Sequence, residues 1–177
     1  MPEYPFSAET RVVVDASPEA VFAFLDDHRN LSAHMEQTSW MMMGSRMDIH
    51  LDESGTRTVG SRFGFTGSIL GIPLSVEEMV SERDPPRSKA WVTIMEPALW
   101  VIGRYRMGFV IAPESGSSLL TVFIGYDLPR RFGIRWLGWL LGGFYAKWCT
   151  NRMANDAARH FRLEPGEAND WLNRQTS

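Results

Sequence analysis

Hydrophobic and polar positions change period twice along this chain. From Thr10 to Ala16 the stretch is rich in β-branched residues, and Val12, Val14 and Ala16 share one face, which predicts a strand. Ser17-Pro18-Glu19 follows at once: a hydroxyl able to cap a helix, a proline suited to its first position and an acid for its first turn. Val21, Phe22 and Leu25 fall at helical spacing behind it, and Leu31 and Met35 predict a second short helix around Asn30–Glu36.

From Ser39 to Leu128 the period becomes two. Strands are expected at Trp40–Leu51, Val59–Ile69, Leu74–Glu82, Lys89–Glu96, Val101–Ala112 and Leu119–Leu128. Turns are signalled by Asp52-Glu53-Ser54-Gly55, Asp84-Pro85-Pro86, Pro97 and Pro113-Glu114-Ser115-Gly116. Glycines at 60, 64, 67 and 71 fall in or beside strands, where they suit bulges and curvature. Beyond Pro129 a helical period takes over: Gly142, Tyr145, Ala146, Cys149, Thr150, Met153, Ala154, Ala157, Ala158 and Phe161 make one face. Most of these side chains are small, so the helix can lie close to a sheet. Glu164-Pro165-Gly166 ends it, and residues 166–177 are expected to form a tail beyond a single domain of residues 1–165.

Composition narrows the class. At 177 residues, 44% hydrophobic and 22% charged, the chain suits one ordinary globular domain. A net charge of −3 speaks against a nucleic-acid backbone as partner. One cysteine, Cys149, makes no internal disulfide, and Met1-Pro2-Glu3-Tyr4 begins no secretion signal, so a cytoplasmic protein is expected. The Asn30-Leu31-Ser32 sequon then carries no glycan.

The succession of strand, two short helices, further strands and one long helix predicts an α+β helix-grip fold. Its curved antiparallel sheet, of about seven strands, would wrap a long C-terminal helix. Three stretches, VVVDASPEAVFAFL (12–25), VEEMVSERDPPRSKAW (76–91) and FYAKWCTNRMANDAARHF (144–161), resemble the START-like or SRPBCC superfamily, in its polyketide cyclase/dehydrase branch. The resemblance implies a hydrophobic or amphipathic small molecule held between sheet and helix. A few such proteins are cyclases, dehydrases or hydrolases. The superfamily has no universal catalytic motif, so the resemblance supplies no active-site residue.

Seven Trp, ten Phe, four Tyr and ten Met are the chemical signal, since such side chains either fill a core or line an apolar cavity. The cavity set expected is Phe63, Phe65, Trp91, Thr93, Tyr105, Met107, Phe109 and Phe123 from the sheet, with Tyr145, Cys149 and Met153 from the helix. Trp91, Thr93, Tyr105, Tyr126 and Tyr145 are its polar groups. With Tyr105 facing in, Arg104 and Arg106 face solvent. No strong base is apparent in this set, and Cys149 reads as a small filler rather than a nucleophile.

The histidines 28, 34, 50 and 160 form no HExxH, and no glycine-rich phosphate loop or GxSxG is present, so neither metal nor cofactor is expected. Leu128–Asn155 holds no acid while Arg130, Arg131, Arg135, Lys147 and Arg152 make it +5. Trp136 and Trp139 lie within it. The run Trp136–Phe144 is too short and too glycine-rich to span a bilayer, and segment 130–148 reads as a cavity lid, an anionic-membrane contact or a homodimer surface. The leading function is small-molecule binding. A cyclase or dehydrase using the same cavity, and an interaction module using the basic tryptophan segment, are the alternatives.

Overall fold

In the computed structural model, residues 4–27, 47–51, 56–69, 72–130 and 135–162 are described. Their order is β1 (Phe6–Val14), α1 (Pro18–Asp26), β2 (Met47–Leu51), β3 (Arg62–Ile69), β4 (Ile72–Asp84), β5 (Ser88–Thr93), β6 (Tyr105–Glu114), β7 (Ser117–Tyr126) and α2 (Arg135–His160). The expected helix at Asn30–Glu36, the first half of the Trp40–Leu51 strand and the tail 166–177 lie outside the described residues.

The seven strands form one sheet in the order β1-β7-β6-β5-β4-β3-β2, every pair antiparallel. It is a meander from β2 to β7 with β1 added against β7, as the helix-grip expectation requires. α1 starts as its sequence dictates: the Ala20 amide donates to Ser17 Oγ at 3.3 Å, Pro18 opens the helix, and Val21, Phe22 and Leu25 are buried. β1 begins earlier than its β-branched run suggested, because Phe6–Arg11 pair with Thr121–Tyr126 whatever their own propensity. β6 begins later, at Tyr105, since 95–104 form an irregular connection.

α2 packs chiefly on β1 and β7. Its buried line is Gly138, Gly142, Ala146, Cys149, Thr150, Met153, Ala154, Ala157 and Ala158, the small-residue face read from sequence. It begins at Arg135, a full two turns before that face was recognised. Gly138 and Gly142 allow the close approach: a Cβ would lie 2.6 Å from the Pro129 ring at Gly138 and 2.9 Å from the Val101 carbonyl oxygen at Gly142. Thr10 Oγ1, 2.8 Å from Asn151 Oδ1, ties β1 to the helix.

The inner face of the sheet follows the two-residue alternation through Phe63 and Phe65, Val76 and Val80, Trp91, Tyr105, Phe109 and Ile111, and Leu120, Val122 and Ile124, all buried. β4 carries one irregularity. Val80 pairs with Trp91 but Glu82 with Ala90, so Ser81 is an extra residue, a bulge. Its hydroxyl donates to the Ala90 carbonyl at 3.2 Å.

Candidate functional site

Two groups of charge lie inside the sheet face, and they differ in kind. At the end of α1, Lys89 is wholly buried; its ammonium donates to Asp26 Oδ1 at 2.9 Å and to the Asp26 carbonyl at 2.8 Å. Arg83 clamps the same carboxylate with Nε at 3.1 Å and Nη2 at 2.8 Å, its guanidinium over the Phe22 ring. Burial opposes the charge on Asp26, but the bonds from Arg83 and Lys89 prevail and hold its pKa below the usual value. This triad is compensated and ties α1 to β4 and β5.

Glu78 is the other kind. It is 1% exposed, opposite Phe63 on β3 and Thr93 on β5. Tyr105 and Trp91 hydrogen-bond its carboxyl, yet Oε1 is buried with no partner among the described residues. Burial outweighs those two bonds and pushes its pKa up to about 8. Among the described residues no cation takes part in its charge balance.

The neighbours are as polar as their setting allows. Tyr105 is pushed well above the ordinary phenol value, by burial first and then by Glu78; Tyr145 and Cys149 also act on it. Tyr145 and Cys149, one turn apart on α2, are hydrogen-bonded side chain to side chain, and burial raises the thiol to about 12. At neutral pH Cys149 is therefore a protonated thiol, unsuited to nucleophilic attack. The arrangement is an un-ionised acid, two phenols, an indole N–H and a thiol inside an apolar wall.

Of the expected cavity set, Trp91, Tyr105 and Tyr145 gather at Glu78, and Cys149 adjoins the two phenols. Phe63 and Phe65 extend the wall, with their rings 6.0 Å apart and Phe63 6.4 Å from Trp91. Met107, half-buried, pairs with Trp91 across β5 and β6, and Met153 is buried on the sheet-facing side of α2. Thr93 faces the same way as Glu78, but its hydroxyl accepts from the Tyr105 amide at 3.2 Å. It closes the end of the β5–β6 ladder. Phe109 is fully buried beneath α1, edge-on to Phe22 at 5.7 Å, and is core.

Phe123 is a correction. On β7 the inward positions are Leu120, Val122, Ile124 and Tyr126, so Phe123 points to the outer face. There the Arg106 guanidinium stands 5.1 Å over its ring, beside a surface hollow of about 460 Å³ lined in part by Tyr4 and Glu9. Gly108 makes room for it: a Cβ there would lie 2.8 Å from the Phe123 ring. Arg106 itself pairs with Glu82 on this face, as the outward reading of Arg106 required.

The expected set, in which no strong base was apparent, left out one ionisable group that faces the same interior, Glu78. Its signal was present: Val76, Glu78 and Val80 alternate on one face, so the strand period places the carboxyl among the valines.

The basic tryptophan segment is a helical surface. Trp136 is 65% exposed, Trp139 72%, Leu140 59% and Phe144 67%. Trp136, Leu140 and Lys147 stand in line, flanked by Trp139 and Phe144, opposite the buried Gly138–Gly142–Cys149 line. Arg135 and Lys147 are exposed; Arg130, also exposed, lies 3.7 Å from Glu96. Arg131 lies outside the described residues. Among the described residues no helix is long and apolar enough to cross a membrane.

Comparison with known proteins fits this architecture. The model of the family described as polyketide cyclase / dehydrase and lipid transport matches residues 5–162. A Chromobacterium violaceum protein, CV1439, has a similar structure with a TM-score of 0.60 at 15% identity, over 90% of this chain and 99% of its own. TTHA0849 of Thermus thermophilus gives 0.58 at 15% identity, over 86% of this chain and 97% of its own. The major latex-like protein 151 of Panax ginseng gives 0.54 at 15%, over 88% and 97%. At these identities the likeness is one of fold. No curated protein matches the chain in sequence.

Proposed function

Because the chain belongs to the polyketide cyclase/dehydrase and lipid transport family, we propose that it binds a hydrophobic or amphipathic small molecule, a lipid or polyketide-like aromatic, between the inner sheet face and α2. The observation that carries this reading is Glu78. A carboxyl with an unpartnered buried oxygen costs a folded protein several kcal/mol, of the order of 1–3 kcal/mol for the lost hydrogen bond alone. An apolar side chain of similar size would avoid that cost. The carboxyl is explained when a bound molecule supplies the missing partner, in a pocket that is mainly apolar with few placed polar groups.

Native mass spectrometry of the purified protein, followed by extraction, tests the proposal. A small apolar molecule should travel with the folded chain and be lost on denaturation. An environment-sensitive apolar dye should also bind, and Phe65→Asp should weaken it. Dye that ignores the protein, with no co-purified molecule, would overturn the reading.

Glu78 also favours a second reading, a cyclase or dehydrase in the same site. A carboxyl with a pKa near 8 can exchange a proton with a bound carbon acid or leaving hydroxyl, and Tyr105 can hold the developing oxyanion. Turnover of a polyketide-like substrate, abolished by Glu78→Gln while binding persists, would distinguish enzyme from carrier.

The exposed Trp139, Leu140 and Phe144, with Arg135 and Lys147, support a third reading in which α2 also docks on an anionic lipid surface.

A further inference from the structure

The surroundings of Glu78 restrict the chemistry of what can be bound, beyond its being apolar. This step rests on the binding reading above. Tyr105 and Trp91 act on the carboxyl as hydrogen-bonding neighbours, while Oε1 is buried with no partner among the described residues. The indole can only donate. From β3 the carboxyl is faced by Phe63, from β5 by Trp91 and Thr93, from β6 by Tyr105, and from α2 by Tyr145, with Cys149 beside that phenol. Val76 and Val80 flank it on β4. None of these groups is a cation. The two cations of the same interior, Lys89 and Arg83, are held by Asp26.

An oxygen that accepts no donor is the better place for the proton of a neutral acid, so that proton sits on Oε1. That O–H then lies in the interior with no acceptor among the described residues.

We infer that Glu78 offers its Oε1–H to the bound molecule, so the site selects ligands carrying a neutral hydrogen-bond acceptor, a ketone, aldehyde or ester carbonyl, over amines. Tyr105 and Trp91, hydrogen-bonding neighbours of the same carboxyl, orient it. The raised pKa accords with this, because the neutral form prevails at physiological pH.

The test uses two probes of one carbon skeleton, 2-acetylnaphthalene and 1-(2-naphthyl)ethylamine, titrated calorimetrically into the full chain at about pH 6.5 and about pH 9.5. The ketone should bind at the lower pH and weaken roughly tenfold at the higher, the loss of one hydrogen bond to a buried group. Glu78→Gln keeps an N–H donor in place of the O–H and should bind the ketone equally at both pH values. Ketone binding that is flat in pH and indifferent to Glu78→Gln overturns the inference while leaving the binding reading intact. Preferential binding of the amine, rising with pH, also overturns it, making Glu78 a counter-ion. Failure of both probes to bind wild type at either pH removes the binding reading and this inference together. A carbon-13 titration of the glutamate carboxyls is independent of any ligand, and a Glu78 midpoint in the ordinary carboxylate range would overturn the inference by itself.

Discussion

Lys89 and Glu78 are both buried on the inner face of the same sheet, and among the described residues only Lys89 has an opposite charge beside it. The ammonium is matched by Asp26, whereas the carboxyl is met by two neutral donors. Buried ions persist when paired, and unpaired acids give up their charge. The two residues should therefore answer to mutation and to pH in opposite ways.

Glu78 should make the protein less stable as pH rises. Its carboxyl titrates near its ordinary value of 4.5 in the unfolded chain and at about 8 when folded. Below the first value both states hold the proton and nothing is lost. Between the two values only the folded state holds it, so stability falls with increasing pH, by an amount on the order of 4–5 kcal/mol once the folded pKa is passed. Urea unfolding from pH 5 to pH 9 should show this slope in wild type and a flatter one in Glu78→Gln. Parallel slopes would mean that another group is responsible.

Removing Tyr105 as a donor should move the same titration further. Its hydrogen bond is one of two influences that lower the Glu78 pKa against burial. Tyr105→Phe should therefore raise the carboxyl midpoint above about 8, read by carbon-13 chemical shift. A midpoint that stays or falls would show that the phenol does not donate to Glu78.

Asp26 should behave in the reverse sense. Asp26→Asn leaves Lys89 and Arg83 without their carboxylate and should cost about 3–5 kcal/mol in chemical denaturation at neutral pH. Because the folded pKa of Asp26 lies below its ordinary value, its contribution is present above that value and disappears as pH falls through the folded one. The gap between wild type and variant should thus narrow in acid. A double replacement, Asp26→Leu with Lys89→Met, should recover part of the loss.

The start of α2 should bind anionic vesicles and release them in salt. Each cation near such a surface contributes about 1 kcal/mol, and mobile ions screen it beyond about 8 Å at physiological ionic strength. Trp139→Ser with Phe144→Ser should reduce co-sedimentation at low salt while leaving dye binding intact. Equal, negligible sedimentation with neutral and anionic vesicles would leave this face as a lid or a self-association surface.

Gly142→Ala tests how closely α2 is seated. The added methyl would meet the Val101 carbonyl oxygen at 2.9 Å, a main-chain atom with little freedom to retreat. A loss of about 1–3 kcal/mol in thermal unfolding is expected.

The architecture was legible because its signals are local and repeated: the Ser17-Pro18-Glu19 start, the strand alternation and the small-residue line of α2 each report independently. The site was legible only in part. Trp91, Tyr105, Tyr145 and Cys149 declared themselves as polar-tipped or soft side chains on inward positions. Glu78 did not, since a glutamate beside Glu77 reads as solvent-facing unless strand phase is allowed to override residue type. Phe123 failed in the opposite direction, as an aromatic whose outward phase was outweighed by its chemistry. Asp26, Arg83 and Lys89 come from separate parts of the chain, and their meeting depends on where α1 lands, which no single stretch specifies.

The extra residue at Ser81 inverts a parity. Before it, even-numbered residues of β4 look inward; after it, odd-numbered ones do, since Arg83 pairs with Lys89 while Glu82 turns outward to Arg106. An unbroken strand with the same residues would carry Glu82 into the interior and expel Arg83, setting a second acid beside Lys89 and depriving Asp26 of its clamp. One strand can thus furnish an acid without a counter-ion and a base with one, a few residues apart. Excision of Ser81 alone would preserve that assignment, since the pairings on either side already agree without it. Excision of Met79 would send either Glu78 or Arg83 to solvent, depending on which half of the strand yields.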